Sequence, residues 1–387
     1  MAFGKKNRVN LDPLSYSLFL LGSPKVGKTT IIKEMCEKLG GEDCYLFLEL
    51  GQERGADAIE GINYVNVPDW RSEYDETRNS VGFIRVVDDI IANKDTEYPD
   101  LKVVIWDTYD QIIPIAEEEA ITKWNQYCRN NGKNDKVTET INAAWGGYGK
   151  GSLKAIEYML NAKARLKEVG VETWVIGHIK HKDVTDIFTG ESYQVLTSDQ
   201  QQNYFNAWVK NVHFMATAYI DRTFITQKTN NKDKDGNYVT KNFVSTENRK
   251  IKLRDDNYTV DSGSRFKWVK SEIDFNVDEF INAIKEAIET ERAKSGLSRE
   301  ESEKLQKEHD KKLRAEEQKV IEKHRKDVET TEELNIVISK IVDFIKDNKA
   351  NATVFKPILN KCRELGYSNP KEIDNIENAR IILEMIS

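Results

Sequence analysis

Gly22, Ser23, Pro24, Lys25, Val26, Gly27, Lys28 and Thr29 have the spacing G-x-x-x-x-G-K-[ST], and no other stretch restricts the fold of this chain so strongly. The spacing specifies a phosphate-binding loop, which works only between a strand and a helix. Its glycines let the backbone turn tightly and aim N–H groups at phosphate oxygens. The helix N-terminus adds the positive end of its dipole. The flanks agree: Tyr16–Leu21 is an apolar run that reads as a strand, and Thr29–Leu39 has helical periodicity. Residues Gly22 through Thr30 are therefore the expected site for ATP. Lys28 reaches the β- and γ-phosphates, and Thr29 offers its hydroxyl to Mg²⁺.

A strand feeding a helix calls for more of the same. Tyr45–Leu50, Tyr64–Val67, Val103–Trp106 and Thr173–Gly177 are further short apolar runs, with helical periodicity in Gly82–Ile91 and Leu153–Val169. Alternating strands and helices predict an α/β fold with a mostly parallel sheet. Phe214–Ile220, Thr223–Gln227, Tyr238–Val244 and Arg249–Arg254 follow one another without intervening helices, which predicts antiparallel edge strands around a turn at 230–238. That turn contains Asn231, Asp233, Asp235 and Gly236 and imitates the start of a calcium loop. Its twelfth position is Asn242 and its flanks are strands, so a hairpin turn is the reading. Val277–Glu289 then reads as an amphipathic helix with Phe280, Ile281, Ile284 and Ile288 on one face.

Beyond this core the composition changes. Residues 293–331 are dominated by Lys, Glu, Arg and Asp and predict a long, solvated helix with opposite charges four apart. Apolar periodicity returns over 332–387, at Leu334, Val337, Ile341, Ile358, Leu359 and Ile382, and predicts a small all-α domain of three or four helices. The expected organisation is an N-terminal arm at 1–13, an ATPase domain at 14–292, a charged helical linker at 293–331 and a small helical domain at 332–387. A net charge of -7 excludes a uniformly basic surface but not a local basic channel. No run approaches the roughly 18 apolar residues of a membrane span, and Met1–Asn10 is not followed by the apolar stretch of a signal peptide. The four cysteines form no C-x-x-C, so a reduced cytoplasm is the expected setting.

Several residues are candidates for the chemistry. Asp107 ends the strand in "LKVVIWDTYD", where its carboxylate can meet the Mg²⁺ shell; Asp110 reads as a solvated or capping carboxylate. Glu53, in the loop past the second strand, is favoured to orient or deprotonate water. Glu49, inside that strand, is the alternative. His178 follows another strand, at the edge where open parallel sheets keep their ligands, and is read as a sensor of the γ-phosphate or as a histidine satisfied by backbone. Two polar loops are expected near that edge, Gln126–Gly151 and Lys180–Phe205. Trp145, Tyr148, Lys150 and Lys180 combine aromatic faces and cations in flexible backbone, a composition suited to single-stranded DNA. The alternative is an ordinary surface loop anchored by Trp145.

Taken in order, "GSPKVGKTT", "CYLFLELGQERGADAIEGI", "VPDW", "VVIWDTYD", "AAWGGYGKG", "VIGHIKHKD" and "SGSRFKWVKSEIDF" resemble the phage-encoded RecA-like ATPases, over about residues 14 to 290. Those proteins are also labelled AAA-domain or phage nucleotide-binding proteins, and some act in single-strand annealing recombination. The resemblance implies a RecA-like P-loop NTPase core that binds ATP and Mg²⁺ and acts on single-stranded DNA. It implies a homo-oligomer with ATP between subunits, in the cytoplasm of a bacterial host. Lys28, Thr29, Asp107, Glu53 and His178 take the family's nucleotide, metal, acid and sensor positions. Arg265 is a candidate finger toward a neighbouring subunit's nucleotide, the alternative being a structural arginine. The expected function is an ATPase promoting annealing or strand exchange, with a single-strand-binding or replication protein as a further partner. A small-molecule kinase would need an arginine-rich lid, and none is visible between 110 and 180. A nucleotide-gated adaptor that loads a replication protein through residues 332–387 is the remaining rival.

Overall fold

In the computed structural model, which describes residues 7–186, 189–232, 238–255, 260–348 and 351–386, strands and helices alternate from the first element onward. The order is β1 (Leu18–Gly22), α1 (Lys28–Gly40), β2 (Tyr45–Leu50), β3 (Tyr64–Val67), α2 (Phe83–Ala92), β4 (Val103–Asp107) and α3 (Tyr109–Asn130). Then come α4 (Lys150–Glu168), β5 (Glu172–Thr185), β6 (Ser192–Ser198), α5 (Gln202–Val209), β7 (Phe214–Lys232) and β8 (Tyr238–Lys252). The core closes with β9 (Gly263–Ser264), β10 (Glu272–Asp274) and α6 (Val277–Ala293).

The strands order as β10-β8-β7-β1-β5-β4-β2-β3. From β7 to β3 every neighbour pair is parallel, each needing a crossover connection; β8 and β10 add the antiparallel edge. This is a mostly parallel α/β sheet of the P-loop NTPase type, as the sequence predicts. Helices cover both faces, so strands such as "LFLLG" need no polar alternation. Leu18 and Leu20 face α1 and α6, whose Ile32, Met35, Phe280 and Ile284 share one core with them. On the other face Phe19 meets Tyr109 and Phe205, and a chain of rings runs from Tyr109 through Trp208 and Trp106 to Phe83. Register then fixes the rim. Gly22 pairs with His178 on one side and Ala218 on the other, and Asp107 pairs with Ile176 and Glu49. The phosphate loop, Glu49, Asp107 and His178 therefore meet at the carboxyl ends of the parallel strands.

Three expectations change. Phe214–Ile220, read as antiparallel edge, lies in β7 and pairs in parallel with β1 before continuing outward to pair with β8. The four short strands expected there are two long ones, with residues 233–237 of the expected turn outside the described residues. The polar loop expected over Lys180–Phe205 is instead a hairpin, β5 running on past Gly177 to pair with β6, followed by the start of α5.

The chain divides into two compact units, Met1–Glu317 and Gln318–Ser387. Helix α6 stops at Ala293 and α7 (Arg299–Asp347) begins beyond Gly296, whose positive φ of 72° ends the preceding turn. The second unit contains the rest of α7, then α8 (Ala352–Glu364) and α9 (Ile376–Leu383). Its own core is Val337, Ile341, Ile358, Cys362, Ile373, Ala379 and Ile382. Among the described residues no helix is long and apolar enough to cross a membrane.

Candidate nucleotide site

The phosphate loop is shaped by one glycine above all. Gly27 sits at φ 104° and ψ 23°, where a side chain strains the backbone, and a Cβ there would come within 3.3 Å of the Phe275 ring. Gly22 is confined too, since a Cβ would lie 2.9 Å from the Ala218 carbonyl. Helix α1 starts at Lys28, so the unpaired N–H groups of its first turn face the loop. The Lys28 ammonium folds back over the loop and donates to the Gly22 and Ser23 carbonyls, both at 3.0 Å. Burial lowers its pKa, opposed by the charges of Asp107, Asp110 and Glu53. A phosphate would give that buried ammonium a charged acceptor in place of two carbonyls.

Thr29 Oγ1 donates to Asp107 Oδ2 at 2.7 Å. Helix α1 and strand β4 thus bring together two hard oxygen ligands, the donor type Mg²⁺ takes. Asp107 is buried, and burial pushes its carboxyl up to about 6, with Thr29's hydrogen bond opposing and Glu53 adding to the rise. A buried carboxylate held next to other carboxylates is a group that a cation relieves, so the residues fit the metal. Bound there, Mg²⁺ supplies charge neutralisation at the phosphates.

The two glutamates differ in what they hold. Glu49 is 3% exposed; its Oε1 accepts from the Ala56 N–H at 2.9 Å, and its Oε2 has no hydrogen-bond partner. Arg54 lies 4.0 Å from that oxygen. Glu49 therefore pins the 51–56 loop from beneath. Glu53 stands in that loop and accepts from Thr108 Oγ1 at 3.3 Å, next to Asp107. Its charge bears on both Lys28 and Asp107. Glu53 thus stands beside Thr108 and Asp107, while Glu49 is tied to the backbone of the loop.

His178 donates from Nδ1 to Asp110 Oδ2 at 2.5 Å, and its backbone N–H donates to the same oxygen at 3.1 Å. The amide of Gln200 donates to the other oxygen, Oδ1. Burial raises Asp110, but the hydrogen bonds and charge of His178, with Gln200, hold it below the ordinary carboxylate range. The expectation of a solvated or capping Asp110 is corrected: it joins the first turn of α3 to β5 and to the segment after β6. Gln200 was hidden among three adjacent glutamines, where nothing in the sequence separates one from the next.

The DNA candidates part company. Trp145 is tied down by its indole N–H, which donates to the Ala120 carbonyl at 2.9 Å. Tyr148 is fully exposed at φ 53°, between glycines that also have positive φ. Lys150 is exposed at the start of α4, and Lys180 donates to the Asp199 carbonyl at 3.1 Å. Unforeseen in the sequence, Trp124 of α3 bridges two other rings, stacking on Tyr127 and lying tilted against Trp145, each at 5.7 Å between centroids. Lys133 caps the Tyr127 end and Lys154 the Trp145 end. Arg265 lies away from this rim. Its Nε donates to the Val212 carbonyl at 2.9 Å and its Nη2 to the Lys210 carbonyl, just before β7 at the amino end of the strands. That is the geometry of the structural alternative.

A left-handed glycine loop between β1 and α1, a hydroxyl facing a buried carboxylate, and a parallel sheet with its ligand rim at the carboxyl ends define a P-loop ATPase-type domain. The chain belongs to the AAA domain family, whose model matches residues 14–244 and whose members are generally ATPases. A search of curated proteins finds no match. The matched span contains the loop, Glu53, Asp107, Asp110 and His178, and ends within β8.

Proposed function

We propose that this protein hydrolyses ATP with Mg²⁺ and binds single-stranded DNA, promoting annealing or strand exchange in phage recombination or replication. It acts in the bacterial host cytoplasm as a homo-oligomer of RecA-like cores with ATP between subunits. One observation carries the DNA half of this reading. The strip Lys133–Tyr127–Trp124–Trp145–Lys154 is a run of three rings with a cation at each end, and Tyr148 stands exposed nearby in sequence. Bases stack on such rings at roughly 1–3 kcal/mol per stacked base, while phosphates would pair with Lys133 and would compete for Lys154 with Glu157, which holds it at 2.7 Å. Two of its rings, Trp124 and Tyr127, stand on α3, whose first turn holds Asp110 against His178.

The test is ATP hydrolysis with and without single-stranded DNA, for wild type and Lys28→Ala. Stimulation by DNA that disappears in the variant supports the proposal; hydrolysis indifferent to DNA rejects it. A second reading has its own observation: the 318–387 unit has a separate core and leaves Ile336, Ile381 and Met385 exposed. On that reading the protein is a nucleotide-gated adaptor that recruits a replication protein, and removing the unit abolishes capture of the partner while leaving hydrolysis intact.

A further inference from the structure

Strand β8 brings an arginine to the phosphate loop of its own chain. Arg249 pairs with Ile220 in β7, two residues beyond Ala218, which itself pairs with Gly22 at the start of the loop. The guanidinium reaches back from there: Nη1 is 3.4 Å from the Val26 carbonyl and 4.0 Å from the position a Cβ would take on Gly27. Phe275, whose N–H donates to the Arg249 carbonyl at 2.9 Å, lays its ring against the same glycine. Glycine at 27 thus gives the Phe275 ring room beside the loop, with the Arg249 guanidinium in ordinary contact distance.

Three other cations of β7 and β8 are occupied. Lys250 and Lys252 share Glu272, and Arg222 pairs with Glu247. Arg249 is exposed, and among the described residues it has no carboxylate partner, only the long bond to Val26. A neutral acceptor at that distance is weak, whereas a phosphate oxygen offers a charge-assisted bond that the planar fork can make twice.

We propose that Arg249 is a phosphate-binding residue for the nucleotide in the loop of its own chain. It leaves the Val26 carbonyl to grip the polyphosphate when a nucleoside di- or triphosphate is bound. Strand β1 lies between β5 and β7, so the bound phosphates are read from two flanks, by His178 on one and Arg249 on the other. The inference rests on the ATP-binding reading of the loop.

The test is equilibrium binding of a fluorescent ATP analogue, and of ADP by competition, to the full chain. Wild type, Arg249→Ala, Arg249→Lys and Lys28→Ala are compared, with melting temperatures for each. Arg249→Ala is expected to weaken binding by about tenfold or more at an unchanged melting temperature. Arg249→Lys should recover only part of the loss, because it keeps the charge without the fork. Binding by Arg249→Ala within twofold of wild type overturns the proposal. So does a loss that Arg249→Lys leaves unrelieved and that comes with a lowered melting temperature, since that marks a structural role. Failure of wild type to bind, or full binding by Lys28→Ala, defeats the reading of the loop itself and the inference with it.

Discussion

The two glutamates at the end of the second strand and in the loop beyond it give the sharpest test of the chemistry. Glu53→Gln keeps size and hydrogen bonding and removes only the basic carboxylate. A positioned general base contributes roughly 10²–10⁴-fold to rate, which is about 2.7–5.5 kcal/mol at ~1.36 kcal/mol per tenfold. Phosphate release at saturating ATP and Mg²⁺ should therefore fall at least about 100-fold. Nucleotide affinity should hold or rise, because one negative charge leaves the neighbourhood of the phosphates. Glu49→Gln is the matched control. The amide oxygen can still accept from the Ala56 N–H, and the unpartnered Oε2 no longer carries buried charge. What is lost is attraction to Arg54 at 4.0 Å, which is weak because that side chain is 58% exposed. The net change in stability should stay within about 1 kcal/mol, and the rate within a few-fold. Single-turnover phosphate release alongside equilibrium nucleotide binding separates chemistry from affinity. The reasoning is refuted if Glu49→Gln loses turnover at normal affinity and an unchanged melting temperature while Glu53→Gln stays near wild type.

Three further outcomes are expected. Tyr148→Ala, a fully exposed ring, should leave the melting temperature unchanged and weaken single-stranded DNA binding in fluorescence anisotropy, whereas Trp145→Ala should also cost about 1–2 kcal/mol by losing its bond to Ala120 and its packing on Trp124. Gly27→Ala should reduce nucleotide affinity by calorimetry, because the left-handed backbone costs a side chain about 1–2 kcal/mol and the Phe275 ring, 3.3 Å from the new Cβ, would have to shift; binding at wild-type strength would exclude that loop geometry. Glu272 is held down to about 2 by its bond from Lys250, with Tyr219 and Lys252 adding, so its contribution is present above its ordinary value near 4.5 and is lost as pH falls toward 2. The melting-temperature gap between wild type and Glu272→Gln should accordingly shrink from pH 5 to pH 2, and a constant gap would contradict it.

The parallel core was legible because its strands are buried on both faces and its phosphate loop has a fixed spacing. What escaped detection has local physical reasons. "HIKHKDVT" continues β5 with exposed polar side chains and so lacks the apolar signal of a strand, although backbone pairing with β6 needs none. The limit expected at 331 is not an end of α7, because Thr330, Thr331, Glu332 and Glu333 contain no breaker, and the helix runs on to Asp347. Asp110 stands next to a strand end, where capping is the common role; only the fold shows that His178 lies across from it. Tyr127 and Trp124 are three apart on α3, within reach of each other on one helical face, but their meeting with Trp145 depends on how the 131–149 segment returns.

Helix α3 has a mechanical consequence. Asp110 in its first turn and Trp124 near its far end are separated by about 21 Å at ~1.5 Å per residue. Each degree of tilt at the Asp110 end would therefore carry Trp124 sideways by about 0.4 Å on that same rise. Pro114, one turn beyond Asp110, has no N–H to give, so one rung of the helix ladder is missing close to that end. On the function proposed above, the helix would act as a lever with its short arm on the nucleotide side. Angular changes too small to disturb the phosphate contacts would move the rings by a substantial fraction of a base-stacking distance.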